Sequence, residues 1–123
     1  MKHNRPVNLN LFTIRFPIPA IVSILHRISG VFLFLFIPFA LWLLELSLTP
    51  GGFAQIQEWQ SGWLVKLLTL GILAAFLYHL VAGVRHLLSD LHIGDTLRAG
   101  RLSAQLVFVV SILLVILAGV WLW

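Results

Sequence analysis

The chain has 123 residues, of which 60% are hydrophobic and 10% charged, with a mean hydropathy of +1.03, whereas soluble globular domains carry about 25% charged residues. That balance excludes a soluble domain and describes a membrane protein. Cysteine is absent and the formal net charge is +4, so the chain can build no disulfide, thiolate-bound cluster or thioether-linked cofactor.

The first twenty residues, MKHNRPVNLNLFTIRFPIPA, are polar or prolyl. The apolar stretch after them starts too late and runs too long for a cleaved signal peptide, which predicts that it is retained. Pro17 and Pro19 predict an extended or broken lead-in over residues 16–20. A first transmembrane helix is expected near 22–47, with no formal charge over 28–44. Crossing about 30 Å of hydrocarbon takes about 20 residues. The segment TPGGFAQIQEWQSG opens with Thr49, Pro50, Gly51 and Gly52 and reads as a connecting loop. Further helices are expected near 63–89 and 102–123. The whole chain, 1–123, thus reads as a single all-α transmembrane domain of three helices.

Of the eight Lys and Arg residues, Lys2, Arg5, Arg15, Arg27, Arg85, Arg98 and Arg101 lie at the amino-terminal flank, at the start of the first helix or around the second connection. Only Lys66 lies elsewhere. The positive-inside rule then puts the N-terminus and the second connection in the cytoplasm, with Trp59, Trp63, Trp121 and Trp123 at the outer interface. A pI near 10.8 reflects this topogenic charge; nucleic acid is not an expected partner.

In this topology the inner ends of the first two helices share one leaflet. SILHRISG (23–30) and YHLVAGVRHLLSD (78–90) can therefore face each other. At about 100° per residue, Ala75, His79, Ala82, Gly83, His86 and Asp90 form one stripe. Its small residues would admit a flat macrocycle, or simply a close helix neighbour. His79 lies about 15 Å from the inner end of its helix, too deep to snorkel, and an ionisable group at that depth faces the bundle and carries function or an interhelical hydrogen bond. Neutral imidazole suits iron. Counted from helix ends, His26 is shallower than His79 by about 9 Å, which argues against both ligating one metal from this chain. Ser23, His26, Arg27 and Gly30 share an arc that could hold a carbonyl-bearing lipid-soluble ligand or anionic propionates, or anchor Arg27 to lipid phosphate. Arg85 has the same two readings. His86 and Asp90 sit near the interface, and His3 and His92 are expected in solvent.

The stretch RPVNLNLFTIRFPIPAIVSILHRISG (5–30), followed by HLVAGVRHLLSD (79–90), resembles the cytochrome b membrane-anchor subunit of succinate dehydrogenase, respiratory complex II, of the proteobacterial type. The similarity covers nearly the whole chain, including the three-helix layout. Ser89 departs from the family pattern, which usually has a bulky apolar side chain there.

The resemblance implies a three-helix anchor packed with a second three-helix anchor subunit in a bacterial inner membrane. His79 would be the axial ligand to the iron of a haem b shared with that partner. His26, Arg27, Arg85 and His86 would lie at the haem propionates or edge, and Ser23 and Arg27 would line a ubiquinone pocket. It further implies docking of an iron–sulfur and a flavoprotein subunit, and succinate:ubiquinone oxidoreductase activity in which this chain catalyses nothing alone. The alternatives are an anchor of quinol:fumarate reductase and a non-redox membrane scaffold.

Overall fold

The computed structural model describes residues 10–123; Lys2, His3 and Arg5, with the first part of the 5–30 stretch, lie outside the described residues. Four helices follow one another: α1 (Ile18–Ser47), α2 (Gly52–Ser61), α3 (Trp63–Asp90) and α4 (Leu97–Leu122). Among the described residues there is no strand. The three long helices are apolar enough to cross a membrane. With 30, 28 and 26 residues, at about 1.5 Å per residue, each exceeds about 30 Å of hydrocarbon and reaches into both interfaces.

Two helix starts lie earlier than expected, each for a local reason. α1 begins at Ile18 because Pro17 takes the N-cap position in an extended conformation and Pro19 falls in the first turn, where no backbone N–H is needed. The lead-in is therefore shorter than the 16–20 segment. α4 begins at Leu97 because the Thr96 hydroxyl accepts a hydrogen bond from the Ala99 N–H at 3.1 Å, satisfying an otherwise orphaned donor. Arg98 and Arg101 thereby ride on the helix, ahead of its apolar span. α1 also runs through Pro38, tolerated in membrane helices when the freed carbonyl finds other partners.

The first connection is not simply a loop. Ser47 Oγ and Thr49 Oγ1 donate to the carbonyls of Leu44 and Leu46, and Gly51 turns the chain at φ 80. Gly52 then packs so closely on the Leu46 carbonyl that a Cβ there could not be accommodated. From that turn α2 runs for 10 residues. Ile56, Trp59 and Gln60 of α2 cover a hollow of about 480 Å³ otherwise walled by α1 and α3. The apolar residues Phe53, Ile56 and Trp59, each three positions apart, were the signal for this helical turn; the Pro-Gly-Gly run before them masked it. Lys66, the basic residue at odds with the others, has its Nζ 5.6 Å from the centroid of Trp123, a cation–π contact.

α1, α3 and α4 pack around a small core of Val22, Ala82, Ala104 and Val107, flanked by Ile18, Tyr78, Val81 and Phe108. Only 11%, 6% and 11% of the most apolar windows of the three spans are buried, so most of their apolar surface meets lipid or another subunit. Tyr78 joins the helices by donating to the Val22 carbonyl at 2.9 Å and packing 6.0 Å from Phe108. Ala82 is fully enclosed. Ala82→Leu should overpack this junction by about 1–3 kcal/mol, read as a lowered thermal midpoint of the detergent-solubilised protein.

Candidate functional site

α1 and α3 run antiparallel, and the sequence places a histidine opposite a glycine twice. A Cβ on Gly30 of α1 would stand 3.0 Å from His79 Cε1, and a Cβ on Gly83 of α3 would stand 3.3 Å from His26 Nε2. Each imidazole occupies the notch left by the other helix's missing side chain, which brings the backbones close enough for polar contact inside the membrane.

The contact centres on His79. Its Nδ1 lies 3.1 Å from the His26 carbonyl oxygen and 3.0 Å from Ser29 Oγ. A carbonyl can only accept, and the single hydroxyl proton of Ser29 already goes to that same carbonyl at 2.8 Å. The proton between His79 and its partners therefore belongs to Nδ1, which donates to both acceptors. In the neutral ring Nε2 then carries the lone pair, and it has no hydrogen-bond partner among the described residues. Unlike Nε2 of His86, it is not sealed off from its surroundings.

His26 stacks on His79 with ring centroids 4.1 Å apart and planes within 9°, and His86 tilts against His26 at 4.9 Å and 47°. The structure thus puts His26 and His79 at one level and corrects the 9 Å depth difference expected from helix ends. α1 begins at Ile18 rather than 22, which removes about 6 Å at 1.5 Å per residue, and antiparallel helix ends need not be flush. The small residues are also resolved: Ala82 sits in the helix core and Gly83 faces the His26 ring, so both serve close helix packing.

The remaining predicted residues do not join this cluster. Arg85 turns to α4, where Nε donates to Ser103 Oγ at 3.0 Å and Nη2 to the Gly100 carbonyl at 3.2 Å. Arg27 is exposed on α1 and Ser23 is half-buried one turn before it. Asp90 and Ser89 are exposed. His92 is exposed with φ 59 and pairs with Asp95 at 3.0 Å. Ser29, only 8% exposed, was missed by the sequence reading, although it lies three residues after His26 on the same side of α1 and that spacing could have found it.

An imidazole whose Nδ1–H is tied to a carbonyl and whose Nε2 is open is oriented as a transition-metal ligand. Among the described residues no three His, Asp or Glu side chains are grouped to enclose an ion. The open His79 Nε2 thus stands as a single candidate ligand atom and not as part of a preformed ion cage among the described residues.

Residues 1–118 match the family model described as succinate dehydrogenase/fumarate reductase transmembrane subunit. The chain is 44% identical to the succinate dehydrogenase cytochrome b556 subunit of Coxiella burnetii (strain RSA 493 / Nine Mile phase I), over 100% of both chains. It is 36% identical to the subunit of the same name from Paracoccus denitrificans, covering 93% of this chain and 88% of that one. A succinate dehydrogenase cytochrome b560 subunit of Marchantia polymorpha is 37% identical over 74% of this chain and 71% of its own length.

The His79 network makes a direct prediction. Ring-nitrogen NMR of the isolated chain in detergent should find His79 protonated on Nδ1, and an Nε2–H tautomer would contradict the bonding described. Gly30→Ala, by pushing on Cε1, should displace the ring and shift these resonances, with little effect on those of His92.

Proposed function

This chain belongs to the succinate dehydrogenase/fumarate reductase transmembrane subunit family, and we propose that within it His79 is an axial ligand of a haem b. Membership makes the chain a cytochrome b membrane-anchor subunit of succinate dehydrogenase, a multi-pass inner-membrane protein of bacterial type that is one part of an enzyme complex and does not catalyse alone.

The observation that carries the haem assignment is the His79 hydrogen bonding. The tie on Nδ1 holds the neutral tautomer and the ring angle, and the open Nε2 offers the lone pair that iron requires. A macrocycle that brings its own equatorial nitrogens suits a site where the chain itself provides a single ligand. His26 is a poor candidate for the opposite axial position. Its ring lies flat against His79 at 4.1 Å, leaving no gap for a macrocycle between them. We accordingly assign the second axial histidine to a second anchor subunit that shares the haem. When bound, the haem supplies one-electron redox chemistry within the membrane. His79 orients it, and His26 and Arg27 would meet its propionates. His86 and Arg85 support that edge at one remove, Arg85 by bracing α3 on α4.

Ser23 and Arg27 stand on successive turns near the inner end of α1 and present a hydroxyl and a guanidinium. Both suit the carbonyl oxygens of ubiquinone, and Arg27 would stabilise negative charge developing on one of them. Arg27 is exposed in the isolated chain, in keeping with a pocket completed by the iron–sulfur subunit, which receives electrons from a flavoprotein subunit oxidising succinate. The relatives' names favour succinate oxidation over fumarate reduction as the working direction.

In membranes carrying the assembled complex, His79→Ala should abolish the low-spin b-type absorption bands, and an unchanged spectrum would defeat the ligand assignment. Arg27→Leu should lower succinate:ubiquinone turnover by about 10²–10³-fold, while succinate oxidation by a soluble dye stays near wild type. Equal losses in both assays would instead indicate failed assembly.

A further inference from the structure

We infer that Ser29 is the positioning residue for His79, acting on the iron through the hydrogen bond that its hydroxyl accepts from Nδ1–H. The inference rests on His79 being a haem ligand and adds a residue that sets the strength of that ligand. Three features single out Ser29. It is nearly enclosed, at 8% exposure, in a segment where solvent cannot substitute for it. Its own proton is committed to the His26 carbonyl at 2.8 Å, so toward His79 it can only accept. The distance, 3.0 Å, is as short as that to the carbonyl, 3.1 Å.

Ser29 therefore joins the His26 carbonyl as a second acceptor on one N–H. Two acceptors draw the Nδ1 proton harder than one and raise electron density on the ring. That strengthens donation from Nε2 and favours the ferric over the ferrous state. The geometry also restrains rotation about the Cβ–Cγ bond of His79, because turning the ring breaks both bonds together. Gly30 follows Ser29 directly and holds the ring edge at its Cα. SG at positions 29–30 thus forms one cradle: the hydroxyl sets the proton and the glycine sets the distance.

The test uses the complete complex with Ser29→Ala and Ser29→Thr, measuring haem content per complex and the midpoint potential of the b-type absorption. Ser29→Ala should keep a low-spin spectrum while changing the ferric-to-ferrous ratio at fixed potential about tenfold, equivalent to a midpoint raised by about 59 mV for a one-electron couple. Haem retention during dilution should fall by about tenfold or more, the usual scale for losing such a partner. Ser29→Thr keeps a hydroxyl able to bond the i−3 carbonyl and should restore most of both effects. A merely space-filling role would not distinguish potential in this way. Full haem content with an unshifted midpoint in Ser29→Ala overturns the inference and leaves the ligand assignment intact. Loss of haem in both variants likewise overturns it, since a retained hydroxyl would then be irrelevant. Wild-type complex devoid of b-type absorption would sink the ligand assignment, and this inference with it.

Discussion

The site depends on one shared proton acceptor, the His26 carbonyl oxygen, which takes the Ser29 hydroxyl proton and the His79 Nδ1 proton together. In water neither bond would matter much. Inside the bilayer no solvent competes, and an imidazole N–H without a partner would cost several times what it would in water. The chain answers by turning a main-chain carbonyl of one helix toward a side chain of the next, which works only if the backbones approach closely. Gly30 and Gly83 permit that approach, each opposite a histidine. The posture of His79 is thus inseparable from helix packing at two glycines.

The packing is strong at one end and sparse elsewhere. The enclosed apolar side chains, Val22, Ala82, Ala104 and Val107, lie around the junction that also holds Tyr78 and the histidines. At the opposite end of the bundle α1, α2 and α3 surround a hollow, and most of the apolar surface faces outward. Lipid tails are as apolar as leucine, so exposure of that surface carries little penalty in the membrane. It also leaves three polar groups facing outward from the bundle's junction: one open imidazole nitrogen, an exposed Arg27 and a half-buried Ser23. A subunit that folds around one polar junction and leaves most of its apolar surface uncovered suits assembly with other subunits of its complex.

The sequence states the spans, the apolar class and the depth of His79 clearly, because each rests on hydropathy or on helical rise alone. It also states the stripe shared by His79, Ala82, Gly83 and His86. It does not state which face of α3 meets which neighbour, and that is where its reading fell short. Ala82 and Gly83 face a core and a histidine ring, and Arg85 faces α4. Helix starts were displaced by chemistry that hydropathy cannot register: a prolyl N-cap at Pro17 and a hydroxyl cap at Thr96. The relative level of His26 and His79 required the register between two helices, which no intrahelical count contains. α2 was hidden because its Pro-Gly-Gly entry looks like the start of a loop and its apolar residues fill only four of its ten positions.

α4 carries none of the redox candidates, yet it determines where they point. Arg85 reaches back from α3 to the Gly100 carbonyl and the Ser103 hydroxyl, one residue away from His86 and six from His79. The fork geometry of a guanidinium bonded through two nitrogens resists rotation more than a single contact would. Ala82 against Ala104 and Val107 locks the adjacent turn by contact. Together these fix the rotation of α3 about its own axis, and therefore the direction in which His79 leaves the helix. A rotation of one residue's spacing, about 100°, would carry His79 out of the notch at Gly30 and end its bonds to α1. The third span is best understood as the counter-support for the second: it sets the angle, Gly30 sets the distance, and the His26 carbonyl with Ser29 sets the proton.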